Sequence, residues 1–332
     1  MKIDAEKLFT ELRYYEHEEI MKSYFHLLVA IIIWCSAYAV ILFSHSFIAS
    51  TLGVFIAAAL TVRLFIMYHD YYHGAIFKKG GRLVKFLFEV FGILIFFPGA
   101  QWAKGHDEHH RGNSILNMGA QTILRSYING YFVVVDTEVW KNYSKIEKAL
   151  YRYRRSSVAI TFGLVNFFVL PTLVKGFMMP IRCIGSWLSL LVHVIIVNVC
   201  LTYFSLSSFF CIYISLFIAT AIGSYIFYAQ HNFPEALYFE KEEWGFLNSS
   251  VQTTSFFKMN PILNWVTGNI GYHHLHHINP KIPFYRLPSA NSDVGVHLTP
   301  HVTSWRLSDI ERNFNCNIWD ANKKKFIPYS EA

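Results

Sequence analysis

The sequence predicts an all-α integral membrane protein: four transmembrane helices in two hairpins, interfacial helices beside them, and a cytoplasmic helical cap holding a metal site. Three observations predict it. Of 332 residues, 53% are hydrophobic, 17% aromatic and only 15% charged, whereas ordinary soluble domains carry about 25% charge. The apolar residues collect in long runs. Nine of the 16 histidines fall in three five-residue windows, His69–His73, His106–His110 and His273–His277.

Leu27–Phe43 is broken only by Ser36, long enough to cross a hydrocarbon core of about 30 Å. Phe47–Tyr68 is similar, with Arg63 near its far end, and Trp187–Phe204 and Phe209–Tyr228 make a second pair. The spans are expected at about 25–45, 47–68, 187–204 and 208–229, within one domain covering 1–332. The cap takes about 69–155 and 230–332.

Charge predicts the sidedness. Ser44–Ser46 and Ser205–Ser208 carry no Lys or Arg. Lys2, Lys7, Arg13, Lys22, Lys78, Lys79, Arg82, Lys104, Arg111 and a dense Lys141–Arg155 run fill the other polar segments. Cytoplasmic loops carry the basic excess, so both termini and all three windows are expected in the cytoplasm. Windows on one side must be separated by an even number of crossings. Leu83–Ala100, interrupted by Lys85, Glu89 and Pro98, is therefore expected to be interfacial or re-entrant. Ser157–Val174, with Pro171 inside it and the basic loop Lys175–Arg182 after it, is expected to stay on the cytoplasmic side. The net charge of +7 reads as membrane orientation and anionic-lipid contact, not as nucleic-acid binding.

Cys35, Cys183, Cys200, Cys211 and Cys316 form no CxxC pair and read as packing residues in a reducing setting. The first 24 residues mix Glu with Lys and lack a small-residue cleavage site, so they are not read as a signal peptide. Leu8, Phe9, Leu12 and Tyr15 suit an amphipathic helix lying at the membrane interface. Nothing in the sequence sets the oligomeric state.

The histidine spacing matters as much as the count. HxxxH and HxxHH place imidazoles at i, i+3 and i+4, on one helical face, so three helices can converge on a common centre. Eight imidazoles exceed the four to six ligands of one ion, so two metals are the economical reading. Donors made only of neutral nitrogen suit Fe, Zn or Cu and disfavour Ca or Mg. Asp70, Asp107 and Glu108 stand inside the windows as candidate acceptors for the ligands' free N–H groups. A structural zinc site is the main rival, yet no thiolate accompanies the histidines. An HExxH motif is absent, which removes the intramembrane metalloprotease reading. Ligation needs unprotonated imidazole, so metal is expected to leave as pH falls well below about 6.

The order HDxxHG, HxxHH, HxxHH, separated by paired hydrophobic stretches, resembles the membrane fatty acid desaturases. The run Gly268–Leu287 around the third window looks like the third box of their acyl-lipid Δ12/ω6 branch. Tyr228-Ala-Gln-His231-Asn-Phe upstream is also similar to that branch. The resemblance runs from about residue 45 to 290. It implies two non-haem iron ions, O2 as co-substrate, and removal of two hydrogens from a membrane-lipid acyl chain. It also implies an external electron donor, ferredoxin or cytochrome b5, and no HPGG motif of a fused cytochrome b5 is present.

By this resemblance His69 and His73 are the first-box ligands, His106, His109 and His110 the second, and His273, His276 and His277 the third. His231 matches a ninth ligand between the second and third boxes. His274 is an alternative start of the third box, with His273 preferred. The acyl-CoA branch carries a site Asn four residues before the intermediate histidine; Phe227 stands there and argues against that branch. Gly112-Asn113 lies closer to the second box than in typical acyl-lipid enzymes, and His273 in place of Gln argues against a front-end desaturase.

The nearest rival keeps the centre but inserts oxygen, as in a hydroxylase or ketolase of acyl, alkane or carotenoid substrates. A histidine-rich metal transporter is the rival of another class, and it predicts histidines lining the spans. His193, alone in a span, is expected to bond a neighbouring helix. Arg63 is expected to snorkel to the interface or pair internally. Trp102, Trp244 and Trp265 read as interface anchors, and His297 and His301 as surface residues.

Overall fold

The computed structural model describes residues 5–116 and 132–332. Lys2 and the part of the expected cap at 117–131 lie outside the described residues.

α1 (Ala5–Arg13) buries Leu8 and Leu12, and Tyr15 follows in a short 3-10 turn. These side chains face protein and not the lipid that an interfacial helix is expected to meet. They pack on Leu275, Ile278, Ile282 and Leu287 around the third histidine window, which presents a matching apolar face. Glu18 then accepts the backbone N–H groups of Phe77 and of Lys78, pinning this arm to the turn after the first window.

α2 (Ile20–Phe43) and α3 (Phe47–Tyr72) form the first hairpin. Ser46 caps α3 by accepting from Ala49 N at 3.3 Å, satisfying a donor that helix geometry leaves open. α4 (Gly81–Leu94) and α5 (Gly99–Gly112) follow. Fourteen residues of α4 extend only about 21 Å, too short to cross. Leu83 and Phe86 on α4 are exposed beside Arg82 and Lys85. The start of α5 is fixed by its neighbours. Tyr68 donates to Phe97 O at 2.5 Å, and a Cβ on Gly99 would land inside the Tyr72 phenol. Only glycine lets α5 begin there, and that contact sets the second window against the first.

The Ser157–Val174 stretch breaks into Ser157–Thr161, a π-turn at Leu164–Val169 and Leu170–Met178. Asn166 at its centre donates to Ala159 O and Phe162 O. Leu164–Met178 is too short to span, at about 22 Å. α6 (Ile184–Tyr203) and α7 (Leu206–His231) form the second hairpin, with Ser205 accepting from Ser208 N at 3.0 Å. Four helices, α2, α3, α6 and α7, are thus long and apolar enough to cross a membrane. α3 is the central one: 61% of its apolar window is buried inside the protein, against 22% for α2 and α6.

The C-terminal part adds α8 (His273–Ile278) and two short strand pairs that the all-α expectation omitted. β1 (Phe256–Lys258) pairs in parallel with β2 (Val302–Ser304), and β3 (Ile318–Asp320) with β4 (Lys325–Ile327) in antiparallel. Three-residue strands carry too little alternation to be read from sequence. β1 also donates from Phe257 N to Gly271 O at 2.8 Å, tying it to the chain entering α8.

Candidate metal centre

Four helices deliver the histidines. α3 carries His69 in its last turn and is capped by His73 one turn later, and α5 carries His106, His109 and His110. α7 ends on His231, and the short α8 carries His273, His276 and His277. All nine come together, but as two groups and not around one centre. His69, His73, His106, His110 and His276 form a group of five; His109, His231, His273 and His277 form a group of four. Within each, the donor atoms lie within 4.8 Å of one another. The helical angle explains the partition. At about 100° per residue, His106 and His110 lie only about 40° apart, whereas His109 is turned about 100° from His110. The second window therefore sits between the groups and serves both.

The Nε2 atoms of His69 and His106 approach to 2.9 Å, those of His106 and His110 to 3.1 Å, and those of His110 and His276 to 3.2 Å. In the second group Nε2 of His231 lies 3.1 Å from that of His109 and 2.9 Å from that of His273. Nε2 of His73 and of His277 is buried without a hydrogen-bond partner. Converging nitrogen lone pairs and orphaned donor atoms fit metal ions, since a buried polar atom left unsatisfied costs about 1–3 kcal/mol. The donor set is all nitrogen, as iron accepts. His274 is fully buried in neither group, near Phe256.

Among the carboxylates in the windows, Asp70 lies 3.1 Å from His69 Nδ1 and accepts Phe284 N at 2.7 Å, orienting that ring and tying the first box to the chain after the third. Asp107 has no such role: it is exposed, 3.9 Å from Arg111, on the outer face of α5. Glu108 acts on the half-buried Lys175, whose pKa burial lowers while Cys183 and then Glu108 raise it. Several supports escaped sequence reading. Trp102 stacks on His106, centroids 4.5 Å apart, Gln230 Nε2 donates to Ile270 O at 2.8 Å, and Tyr238 donates to His231 O at 3.0 Å. Their neighbours come from remote segments, so no local pattern marks them.

Burial drives the cap imidazoles towards the neutral form. It lowers His109 to about 3 and holds His106, His110, His273, His276 and His277 well below their ordinary value. Neighbouring histidines add to this by mutual repulsion. The lowered values agree with an expected release of metal only well below pH 6, because the folded site resists protonation. The unfolded chain takes up protons from about pH 6.5 downward, so the stability these groups contribute is full above that pH and lost below it. Metal-free protein is expected to lose stability progressively as pH falls below about 6.5. Thermal melts of the apo-protein from pH 8 to 5 check this; a flat profile would contradict it.

A cavity opens beside both groups. His69 and His106 of one and His109 and His273 of the other line it, and Phe65, Phe168, Ile226 and Phe227 supply apolar walls. It runs down between α3 and α7 as far as Thr61 and Thr220.

The fatty acid desaturase family model matches residues 45–309. The chain belongs to the fatty acid desaturase family. It is also 31% identical over 281 residues to a fatty acid desaturase of Bacillus subtilis (strain 168), covering 82% of this chain and 76% of the relative. Membership makes the protein an oxidoreductase and sets the transporter alternative aside. Other conspicuous side chains of the protein are structural. Arg63 does not snorkel: it is 1% exposed, donates to Trp265 O and lies over the Trp265 ring at 4.1 Å. Trp265 is thus a partner for Arg63, and Trp244 donates to Asn113 O at 2.9 Å. His193 bridges Tyr213 on α7 and Leu94 O. His297 is exposed, while the half-buried His301 lies against Phe233.

Proposed function

We propose that the chain is an O2-dependent acyl-lipid desaturase that places a double bond in a membrane-lipid acyl chain, with iron at both histidine groups. The single observation that carries this reading is the apolar cavity reaching histidines of both groups at once. An alkyl chain lying there meets the two groups side by side, with Phe65, Phe168 and Phe227 excluding water. Iron held by the nine imidazoles would supply the oxidising power needed for an unactivated methylene. The chain's own residues hold and orient: Asp70 fixes the His69 ring, Trp102 backs His106, and Gln230 joins the end of α7 to the segment entering α8. Forming the alkene while reducing O2 to two waters requires two further electrons and two protons. An external ferredoxin or cytochrome b5 is the proposed electron source.

Phe227, 5.2 Å from His109 and 5.5 Å from His231 by ring centroids, favours an acyl-lipid over an acyl-CoA substrate, for it occupies the place of the acyl-CoA branch's polar Asn. Lys78, Lys79, Arg82, Lys104 and Arg111 lie at the histidine ends of the spans, whereas 44–46 and 204–205 carry no Lys or Arg. This asymmetry favours a cytoplasmic cap and termini. Expression in a host of simple lipid composition, followed by mass spectrometry of the acyl chains, tests the function. A new double bond is expected. A gain of one oxygen instead identifies a hydroxylase, and unchanged lipids with iron and donor supplied overturn both.

A further inference from the structure

We infer that the floor of the cavity sets the position of the double bond by counting carbons from the methyl end of the acyl chain, with Thr61, Thr220 and Gly223 as specificity-determining residues. The inference rests on the desaturase reading above and deepens it.

The cavity ends where α3 and α7 close on each other. Ala58, Val62 and Ala219 pack together there, each no more than 5% exposed. Val62 and Ala219 line the space together with Thr61 and Thr220, and the hydroxyls of the two threonines are already committed. Thr61 Oγ1 donates to Ala57 O at 2.8 Å and accepts Trp34 Nε1 at 2.9 Å; Thr220 Oγ1 lies 2.9 Å from Leu216 O and 3.0 Å from Phe217 O. Arg63 on the same helix is held by Trp265 O and His26 and does not line the cavity. The two threonines therefore offer no free donor to a carboxylate or headgroup, and among the described residues no cation lines the cavity. An unpartnered wall hydroxyl, Ser224 Oγ, lies about one turn nearer the histidines. A methyl terminus fits the floor, and the polar end stays outside.

Depth then follows from helix geometry. Thr61 precedes His69 by eight residues, about 12 Å of helix, and Thr220 precedes His231 by eleven, about 17 Å. An extended hydrocarbon, with bonds of about 1.5 Å and angles near 111°, advances about 1.25 Å per carbon. The oxidised bond should lie roughly nine to thirteen carbons from the methyl end, deeper than an ω6 register. Gly223 lines the same wall about one turn above Thr220, and a Cβ built on it meets no atom within 4 Å. It is a place on the wall where the depth can be changed without moving the backbone.

The wild-type desaturase, supplied with acyl chains differing by two carbons, should keep the double bond at a constant distance from the methyl end. Gly223→Leu should shift the bond towards the methyl end by about three to four carbons, one helical turn, with Gly223→Ala intermediate. A bond held at constant distance from the carboxyl carbon, or an unshifted product from Gly223→Leu, overturns the inference while leaving the desaturase reading intact. A phospholipid carrying a photoreactive group at its methyl end tests the same placement without turnover. Adducts at Thr61 and Thr220 are expected, and labelling only at lipid-facing Leu52 and Phe55 overturns it even if no alkene is ever made.

Discussion

His276→Ala is expected to abolish double-bond formation and to lower bound iron from about two ions per chain to about one. His276 Nε2 lies 3.2 Å from that of His110 within the group of five, and its ring is fully buried against His69 and His73. Removing it opens the group on the side that α8 supplies, and no other described side chain reaches that position. The group of four keeps its own members, which is why one ion and not both should be lost. His274→Asn is the control: two residues away and equally buried, His274 belongs to neither group. Metal analysis per folded chain, read beside lipid mass spectrometry, separates the two variants. Equal iron in both would break the assignment of His276.

Gly99→Ala is expected to reduce turnover about a hundredfold through a single added methyl on a residue that is not itself a metal donor. The new Cβ would overlap the Tyr72 phenol, which donates to Glu89 at 2.9 Å and so resists displacement. Overpacking of this kind costs about 1–3 kcal/mol, but the greater loss is positional. α5 must move, and it carries histidines of both groups; misplacing reactive geometry by about 1 Å costs about 10²-fold. Combining Gly99→Ala with Tyr72→Ala should recover part of the activity, because the overlap is gone. Turnover of the double variant no better than that of Gly99→Ala would show that the Tyr72 contact is not the cause.

The spans and the histidine boxes were legible because each rests on a local signal: a run of about twenty apolar residues, or imidazoles one turn apart. His231 shows where that signal fails. It is a lone histidine at the end of α7, and only resemblance brought it into the set. The division into five and four was also out of reach. It depends on how far His109 is turned from His110 and on how α8 docks, and the docking comes from Leu8, Leu12 and Tyr15 far away in the chain. The same remoteness explains the misreading of α1, whose amphipathic pattern is identical whether its apolar face meets lipid or protein. Asp70 and Asp107 were equivalent on paper, and only the direction of each helical face distinguishes them.

The bracing of α8 from both ends of the chain has a consequence for biosynthesis. His276 is made about two hundred residues after His69, some ten to forty seconds later at about 5–20 residues per second. β2, which straps β1 behind α8, follows later still. Throughout that interval the first and second boxes are incomplete, however early α2 and α3 enter the bilayer. Metal delivery must therefore wait until the residues from 273 onward have been made, and a ribosome stalled before residue 273 leaves an inserted protein unable to complete either histidine group.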